Sequence, residues 1–216
     1  MAFQKINLSD WARREHWAHY SRNVRCTYAM TTDIDISRLK PELKMHNLKL
    51  YPALLYMLST IVNRHEEFRF AFGSGGEPVC FDQMHPTYTV FHADDETFSN
   101  LWTEYAPRFF DFHEAYLRDM ATYGDVHGFN GKPDAPENCF PVSMIPWTHF
   151  TGFNLNIYGE GLYLSPIFTF GRYVERDGRL LLPLSGQFHH AVCDGFHAAR
   201  LFNEMQSLAD DCLEWL

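Results

Sequence analysis

A histidine pair, a cysteine, an aspartate and a third histidine fall within ten residues, His-His-Ala-Val-Cys-Asp-Gly-Phe-His-Ala from His189 to Ala198. Imidazole is the side chain best matched to moving a proton near neutral pH. The apolar run from Leu180 to Phe188 ahead of the pair predicts a strand, and a helical pattern follows Gly195. The segment thus puts an imidazole at a strand end, the Asp194 carboxylate in the turn, and a glycine where the backbone bends. Three chemistries are open to His189, His190, Cys193, Asp194 and His197. The histidines could be satisfied core or turn residues. They could ligate zinc with the cysteine; but adjacent His189 and His190 point to opposite faces of a strand, and no Cys-x-x-Cys companion exists. Or one imidazole could act as an acid/base group. That needs a counter-charge for Asp194 and a polar group for a developing oxyanion.

The elements that must hold these residues follow from the rest of the chain. Its 216 residues suit a single domain over 1–216, and 46% hydrophobic content allows a sizeable core. Core packing absorbs most of the nineteen Phe, eleven Tyr and five Trp, but a few could line a pocket for a flat apolar ligand. A net charge of −9 argues against nucleic acid as a partner, since phosphate binding needs a basic face. No apolar stretch approaches the ~20 residues that span a bilayer, and Met1-Ala2-Phe3-Gln4-Lys5 opens no signal-peptide core. Cys26, Cys80, Cys139, Cys193 and Cys212 are odd in number and scattered, which reads as reduced thiols in a cytoplasm.

Capping candidates Ser9 and Asp10 predict a first helix over 8–21. A strand is expected over 24–32 and a short helix over 36–45, limited by Pro41. Pro52 to Glu66 is the clearest helix, with Leu54, Leu55, Leu58, Ile61 and Val62 recurring at three and four. Short strands are expected at 68–72, 78–81 and 87–92, then a helix over 107–123. A Gly/Asn/Pro/Asp-rich loop covers 124–140. Strands near 148–158, 163–174 and 179–190 precede a last helix over 195–212. Gly-Glu-Gly at 159–161 and Arg-Asp-Gly at 176–178 read as hairpin turns. The pattern predicts an α+β layer structure with a mixed sheet.

The segment from His189 through Arg200 closely resembles the signature of the chloramphenicol acetyltransferases. The resemblance continues through Trp11-Ala12-Arg13-Arg14-Glu15-His16, Tyr51-Pro52, Thr89-Val90-Phe91-His92, Glu96-Thr97-Phe98-Ser99, Pro146-Trp147 and Phe153-Asn154-Leu155-Asn156. It runs in order over nearly the whole length. A bare His-x-x-x-Asp-Gly also occurs in the dihydrolipoyl acyltransferases; the flanking matches single out the antibiotic-modifying branch. The resemblance implies a two-layer sandwich of helices on a mixed sheet. It also implies acetyl transfer from acetyl-CoA to a hydroxyl of chloramphenicol without an acyl-enzyme or a metal, in a homotrimer with sites at subunit interfaces. The same transfer to another small hydroxylated acceptor, and a non-catalytic trimer that sequesters its ligand, are the alternatives.

Residue by residue, the resemblance makes His190 the general base and gives Ser143 the oxyanion hydrogen bond. Thr169 would hold an ordered water on the same intermediate. Asp194 pairs with Arg13 and braces the site, while the catalytic histidine is oriented through its own backbone carbonyl. Tyr20, Cys26, Tyr28, Phe98, Trp147, Phe153, Leu155 and Tyr173 are the implied acceptor-binding positions, and Lys49, Tyr51 and Arg172 lie on the coenzyme side. His19, Tyr28 and Asn130, beside Phe129, depart from the family pattern and predict a more polar pocket.

Overall fold

The computed structural model describes residues 2–73, 75–157 and 163–216. A small antiparallel sheet joins β1 (Phe3–Lys5), β4 (Pro78–Phe81) and β3 (Phe70–Phe72) in the order β1-β4-β3. The main sheet has seven strands. Its order is β2 (Thr27–Asp35), β10 (Arg179–His189), β8 (Ile167–Gly171), β7 (Cys139–Ile145), β5 (His85–His92) and β6 (Thr97–Trp102), with β9 (Val174–Arg176) paired to β10. The β5–β7 and β7–β8 pairs are parallel and the others antiparallel, so the sheet is mixed as expected. The helices are α1 (Arg14–Ala18), α2 (Leu39–Met45), α3 (Leu50–Arg64), α4 (Phe109–Tyr123) and α5 (Gly195–Asp210).

Helix α3 is buried without interruption from Pro52 to Val62, so it lies in the core rather than on it. The α4 and α5 helices pack against α3. The alternation of β10 divides the sheet. Leu182, Leu184 and Phe188 face the core, where Phe188 meets Phe68 and Phe202 of α5. Ser185, Gln187 and His189 face the other way. The Asp177-Gly178 pair between β9 and β10 has φ of 52° and 74°, the left-handed backbone of a two-residue hairpin.

Several expectations change. The first helix is shorter than 8–21: α1 covers one turn and passes into a π-helical turn at His19–Asn23. The expected strand at 148–158 does not form over its described residues, 148–157; β7 lies just before them instead. Phe150, Phe153, Leu155 and Ile157 have the alternation of a strand. Yet the backbone of Phe153 is satisfied by side chains, its N–H by Thr31 Oγ1 and its carbonyl by Ser185 Oγ, and not by a ladder. Strands β1 and β6 were not expected. The turn expected at 159–161 lies outside the described residues.

Candidate active site

His190 stands one residue past the end of β10, held on every side but one. Its backbone N–H donates to the Cys26 carbonyl at 2.9 Å, and its carbonyl accepts from Arg13 Nη2 at 3.2 Å. The ring lies flat on Tyr20, 4.3 Å between centroids and 4° between planes, with Tyr28 at 5.4 Å. Arg13 donates through Nη1 and Nη2 to the two Asp194 oxygens at 2.6 and 2.9 Å, a bidentate pair, and reaches the Ala191 carbonyl through Nε at 3.4 Å. Asp194 begins α5, and its N–H donates to Nδ1 of His197 at 2.9 Å. The Arg13 guanidinium, outweighing partial burial, holds the Asp194 carboxyl down at about 2.

Nδ1 of His190 lies 3.0 Å from Asp194 Oδ1 but out of line with it, and it makes no aligned hydrogen bond. The contact is a close approach rather than a triad hydrogen bond. The orientation through the residue's own carbonyl that the resemblance implies is not made either: Nδ1 has no hydrogen bond, and that carbonyl accepts from Arg13. Stacking on Tyr20 and the fixed backbone orient the ring instead. Nε2 makes no protein hydrogen bond among the described residues, which leaves it for a ligand.

His189 is a different kind of histidine. It is 4% exposed, its Nδ1 accepts the Ala191 N–H at 3.1 Å, and burial pushes its pKa down to about 4. It is a neutral structural ring. Burial likewise pushes the Cys193 thiol up to about 12, so it supplies no thiolate at neutral pH. Gly195 is not in a left-handed conformation, and a Cβ there would meet nothing. The expected sharp bend is absent; the glycine leaves open space at the start of α5.

Ser143 and Thr169 sit elsewhere. Strand register aligns Ser143 with Thr169, Thr169 with Ser185, and Ser185 with Thr31, a row of four hydroxyls across the sheet. This row occupies the face away from Phe168 and Leu184, which are in the core. At ~3.3 Å per residue and ~4.8 Å per strand, Ser143 lies roughly 20 Å from His190 within one chain. Phe153 lies over this row through its bonds to Thr31 and Ser185.

The other expected acceptor positions are dispersed. Tyr20, Cys26 and Tyr28 surround His190. Phe98, Trp147 and Leu155 are exposed. Trp147 meets Phe91 edge-on at 4.7 Å, and Phe98 meets Phe129 at 6.3 Å. Phe91 escaped the sequence reading; its signal is a solvent-side phenylalanine in an otherwise well-patterned strand. Tyr173 is half-buried, with Lys40 Nζ 4.9 Å over its ring. Lys49 and Arg172 are exposed cations, whereas Tyr51 Oη donates to the Val142 carbonyl at 3.4 Å, next to Ser143.

The expected polarity of the pocket is corrected at Tyr28. The Tyr28 hydroxyl donates to the Cys193 carbonyl at 3.2 Å and faces inward, with burial raising its pKa. Asn130 bridges to Asn100, and the adjacent Phe129 presents the ring. Asn130 and His19 both remain as exposed polar departures, His19 edge-on to Tyr20 at 4.8 Å.

The fold is shared with acetyltransferases. It superposes on a solved chloramphenicol acetyltransferase with a TM-score of 0.86 at 19% identity, over 96% of this chain and 100% of that one. The dihydrolipoamide acetyltransferase of Azotobacter vinelandii gives 0.67 at 17% identity, over 93% and 87%. The sequence narrows the class. A profile of the chloramphenicol acetyltransferase family matches residues 1–206. Chloramphenicol acetyltransferases of Clostridium butyricum and Clostridium perfringens are 49% and 51% identical over all of this chain and 99% of each relative. The chain belongs to the chloramphenicol acetyltransferase family, a family of acyltransferases.

Proposed function

We propose that the protein transfers acetyl from acetyl-CoA to a hydroxyl of chloramphenicol, inactivating the antibiotic, with His190 as general base. The observation that carries this reading is the free Nε2 on a ring whose other edge faces an ionised carboxylate. Nε2 takes the alcohol proton as the alcohol oxygen attacks the thioester carbonyl. The tetrahedral intermediate collapses, the C–S bond breaks, and the imidazolium returns the proton to the departing sulfur. The products are the acetyl ester and CoA thiol. Such a base contributes ~10²–10⁴-fold in rate. Ser143 donates to the oxyanion, and Thr169, its neighbour in register, holds a water on the same side. With Cys193 kept protonated, direct attack is favoured over an acyl-enzyme.

The separation of Ser143 from His190 supports a site shared between copies. One chain brings His190, Tyr20, Cys26 and Tyr28. Its neighbour brings Ser143, Thr169, the exposed Phe98, Trp147 and Leu155, and the half-buried Phe153 and Tyr173. A homotrimer closes this arrangement with three equal sites. Lys49 and Arg172, exposed cations on an acidic protein, meet the CoA phosphates, and Tyr51 supports the Ser143 strand from beneath. One apolar cluster from Trp17 to Cys212 supports a single domain. No helix among the described residues is long and apolar enough to cross a membrane, and five unpaired cysteines fit a cytoplasmic enzyme.

The test is complementation, read by CoA thiol release with chloramphenicol. His190→Ala and Ser143→Ala are each made inactive, then unfolded together and refolded as mixed oligomers. A shared site regains activity, because the histidine of one copy meets the serine of the other. A mixture as inactive as its parents overturns the shared site. Wild-type protein that releases no thiol with chloramphenicol overturns the reaction.

A further inference from the structure

Lys132, in the loop after α4, carries an ammonium that is already satisfied within the chain. Its Nζ donates to Asp119 Oδ1 at 2.7 Å and to the Trp102 carbonyl at 2.9 Å, and stands 3.8 Å over the Trp102 ring. The two charged side chains are 14% and 15% exposed. The other Asp119 oxygen accepts from the Thr103 hydroxyl at 2.7 Å, and Thr103 meets Tyr88 Oη at 2.8 Å. A charge pair taken this far out of water returns little stability, and its best-attested use is to fix register. Here the register is that of the loop on β6, which ends the main sheet. The Asn100 N–H donates to the Phe129 carbonyl at 2.8 Å, and the Asn100 carbonyl accepts from Gly131 and Lys132 at 3.1 and 3.3 Å. Trp102 Nε1 donates to the Pro133 carbonyl at 3.1 Å. A Cβ at Gly131 would come within 2.9 Å of Leu101 Cδ1 and Ser99 Oγ, so this strap lies tight on the strand. Covering a sheet edge needs only the backbone bonds; the ion pair adds a fixed place along it. At the head of the strap Phe129 is 69% exposed, edge-on to Phe98 at 6.3 Å. The position of that ring is set by its backbone, and the backbone is pinned at Lys132.

We propose that Lys132, held by Asp119 and Trp102, is a positioning residue for acceptor binding: it locks residues 129–133 in register on β6 and so sets the Phe129 ring beside Phe98. The acceptor role rests on the function proposed above; the lock itself does not. Lys132 meets no substrate, since its donors are taken by Asp119 and Trp102. Without the lock the strap can slip along β6, and a slip of one residue carries Phe129 to the other face. The effect falls on acceptor binding and spares proton transfer, because His190 is held by Arg13, Tyr20 and Cys26.

Two readouts on the full chain test it. Hydrogen exchange at the Gly131 and Lys132 amides reports the strap with no substrate present. Lys132→Met, which keeps the stem and drops the charge, speeds both at least ~tenfold. In thiol-release kinetics the same variant raises KM for chloramphenicol ~fivefold or more, with turnover and KM for acetyl-CoA near wild type. Phe129→Ala raises KM as well, and Lys132→Met adds nothing in that background, because it acts through that ring. Lys132→Met alone strands the Asp119 carboxylate, so Lys132→Met with Asp119→Asn is made beside it. The pair is then replaced rather than broken, the new amide still accepts from Thr103, and the KM rise persists in a more stable protein. Unchanged exchange in this folded double variant overturns the lock. Faster exchange with KM unchanged, or KM effects that add in the Phe129→Ala background, overturns the acceptor role. Wild type that releases no thiol with chloramphenicol overturns the reaction and the acceptor role with it, while exchange still decides the lock.

Discussion

At the end of β10, contacts from Arg13, Tyr20, Cys26 and Asp194 converge on His190. Along β6 and after β7, the rings of Phe98 and Trp147 stand 47% and 58% exposed, each with one edge-on aromatic neighbour described, Phe129 and Phe91. The first region is closely packed within the chain, and the second stands open to solvent. A proton-transfer group must be held in one orientation before its substrate arrives. A wall for an aromatic acceptor can wait for a partner surface. Under the proposed function, the base is held within one chain, and Ser143 and part of the acceptor wall come from a neighbouring copy.

The sharpest way to break this contrast is at His190. His190→Ala should lower the turnover of thiol release by ~10²–10⁴-fold while calorimetry still detects chloramphenicol binding. Binding lost in parallel with rate would mean that the ring is part of the wall rather than the base. His189→Ala should not reproduce the rate loss, since that ring is buried in the chain and its Nδ1 accepts the Ala191 N–H.

The bracing pair comes next. Arg13→Ala leaves the part-buried Asp194 carboxylate without its bidentate partner; between the values for exposed and fully buried pairs, the loss should be ~1–3 kcal/mol. Asp194→Asn should also lower stability, read by urea unfolding, as well as rate. A fully stable but inactive Asp194→Asn protein would show that the 3.0 Å contact to His190 Nδ1 is a triad bond after all. The folded pKa of Asp194 lies below its ordinary value. Its contribution is therefore present above pH ~4 and is lost as pH falls toward about 2.

His189 gives a separate window. Its folded pKa is lowered from 6.5 to about 4, so the unfolded chain binds a proton that the folded chain refuses. Stability then falls as pH drops from 6.5 toward 4, by ~2 kcal/mol at pH 5 from this ring. His85, His113 and His197 add slope in the same direction, also through burial. Urea unfolding of wild type and His189→Gln at pH 7 and pH 5 should give a smaller pH loss in the variant. Equal losses would mean that His189 is solvated in the folded protein.

The same contrast governs what the sequence could say. The apolar run of β10, the Arg-Asp-Gly turn and the helical pattern from Gly195 are local signals, and they locate His190 and Asp194. Arg13 was legible only through resemblance, because nothing within Arg13-Arg14-Glu15 marks which charge reaches a residue 181 positions away. Strand β7 was hidden. Pro141 and Pro146 break its pattern, and only parallel partners β5 and β8 make it a strand. The segment after it has the alternation but not the ladder, since Thr31 and Ser185 side chains take the Phe153 hydrogen bonds. Stacking of Tyr20 on His190 depends on the π-helical turn at His19–Asn23, for which the sequence carries no pattern.

The smallest effect belongs to the open wall and tests whether it is a wall. Phe98→Ala removes a ring with one described aromatic neighbour and nearly half its surface in solvent, so it creates no core cavity and should change stability by under ~0.5 kcal/mol. If the ring packs against chloramphenicol, its loss removes apolar contact made equally in the ground and transition states. KM should then rise ~10-fold or more with turnover little changed, since a buried aromatic face is worth ~1.5–3 kcal/mol. A fall in turnover with KM unchanged would move Phe98 from binding to positioning. A large loss of stability in the oligomer, with normal KM, would instead make the ring a subunit contact. Trp147→Ala, next to Phe91 on the same open side, gives the matching control: two walls of one slot should raise KM independently, and two patches of an interface should not.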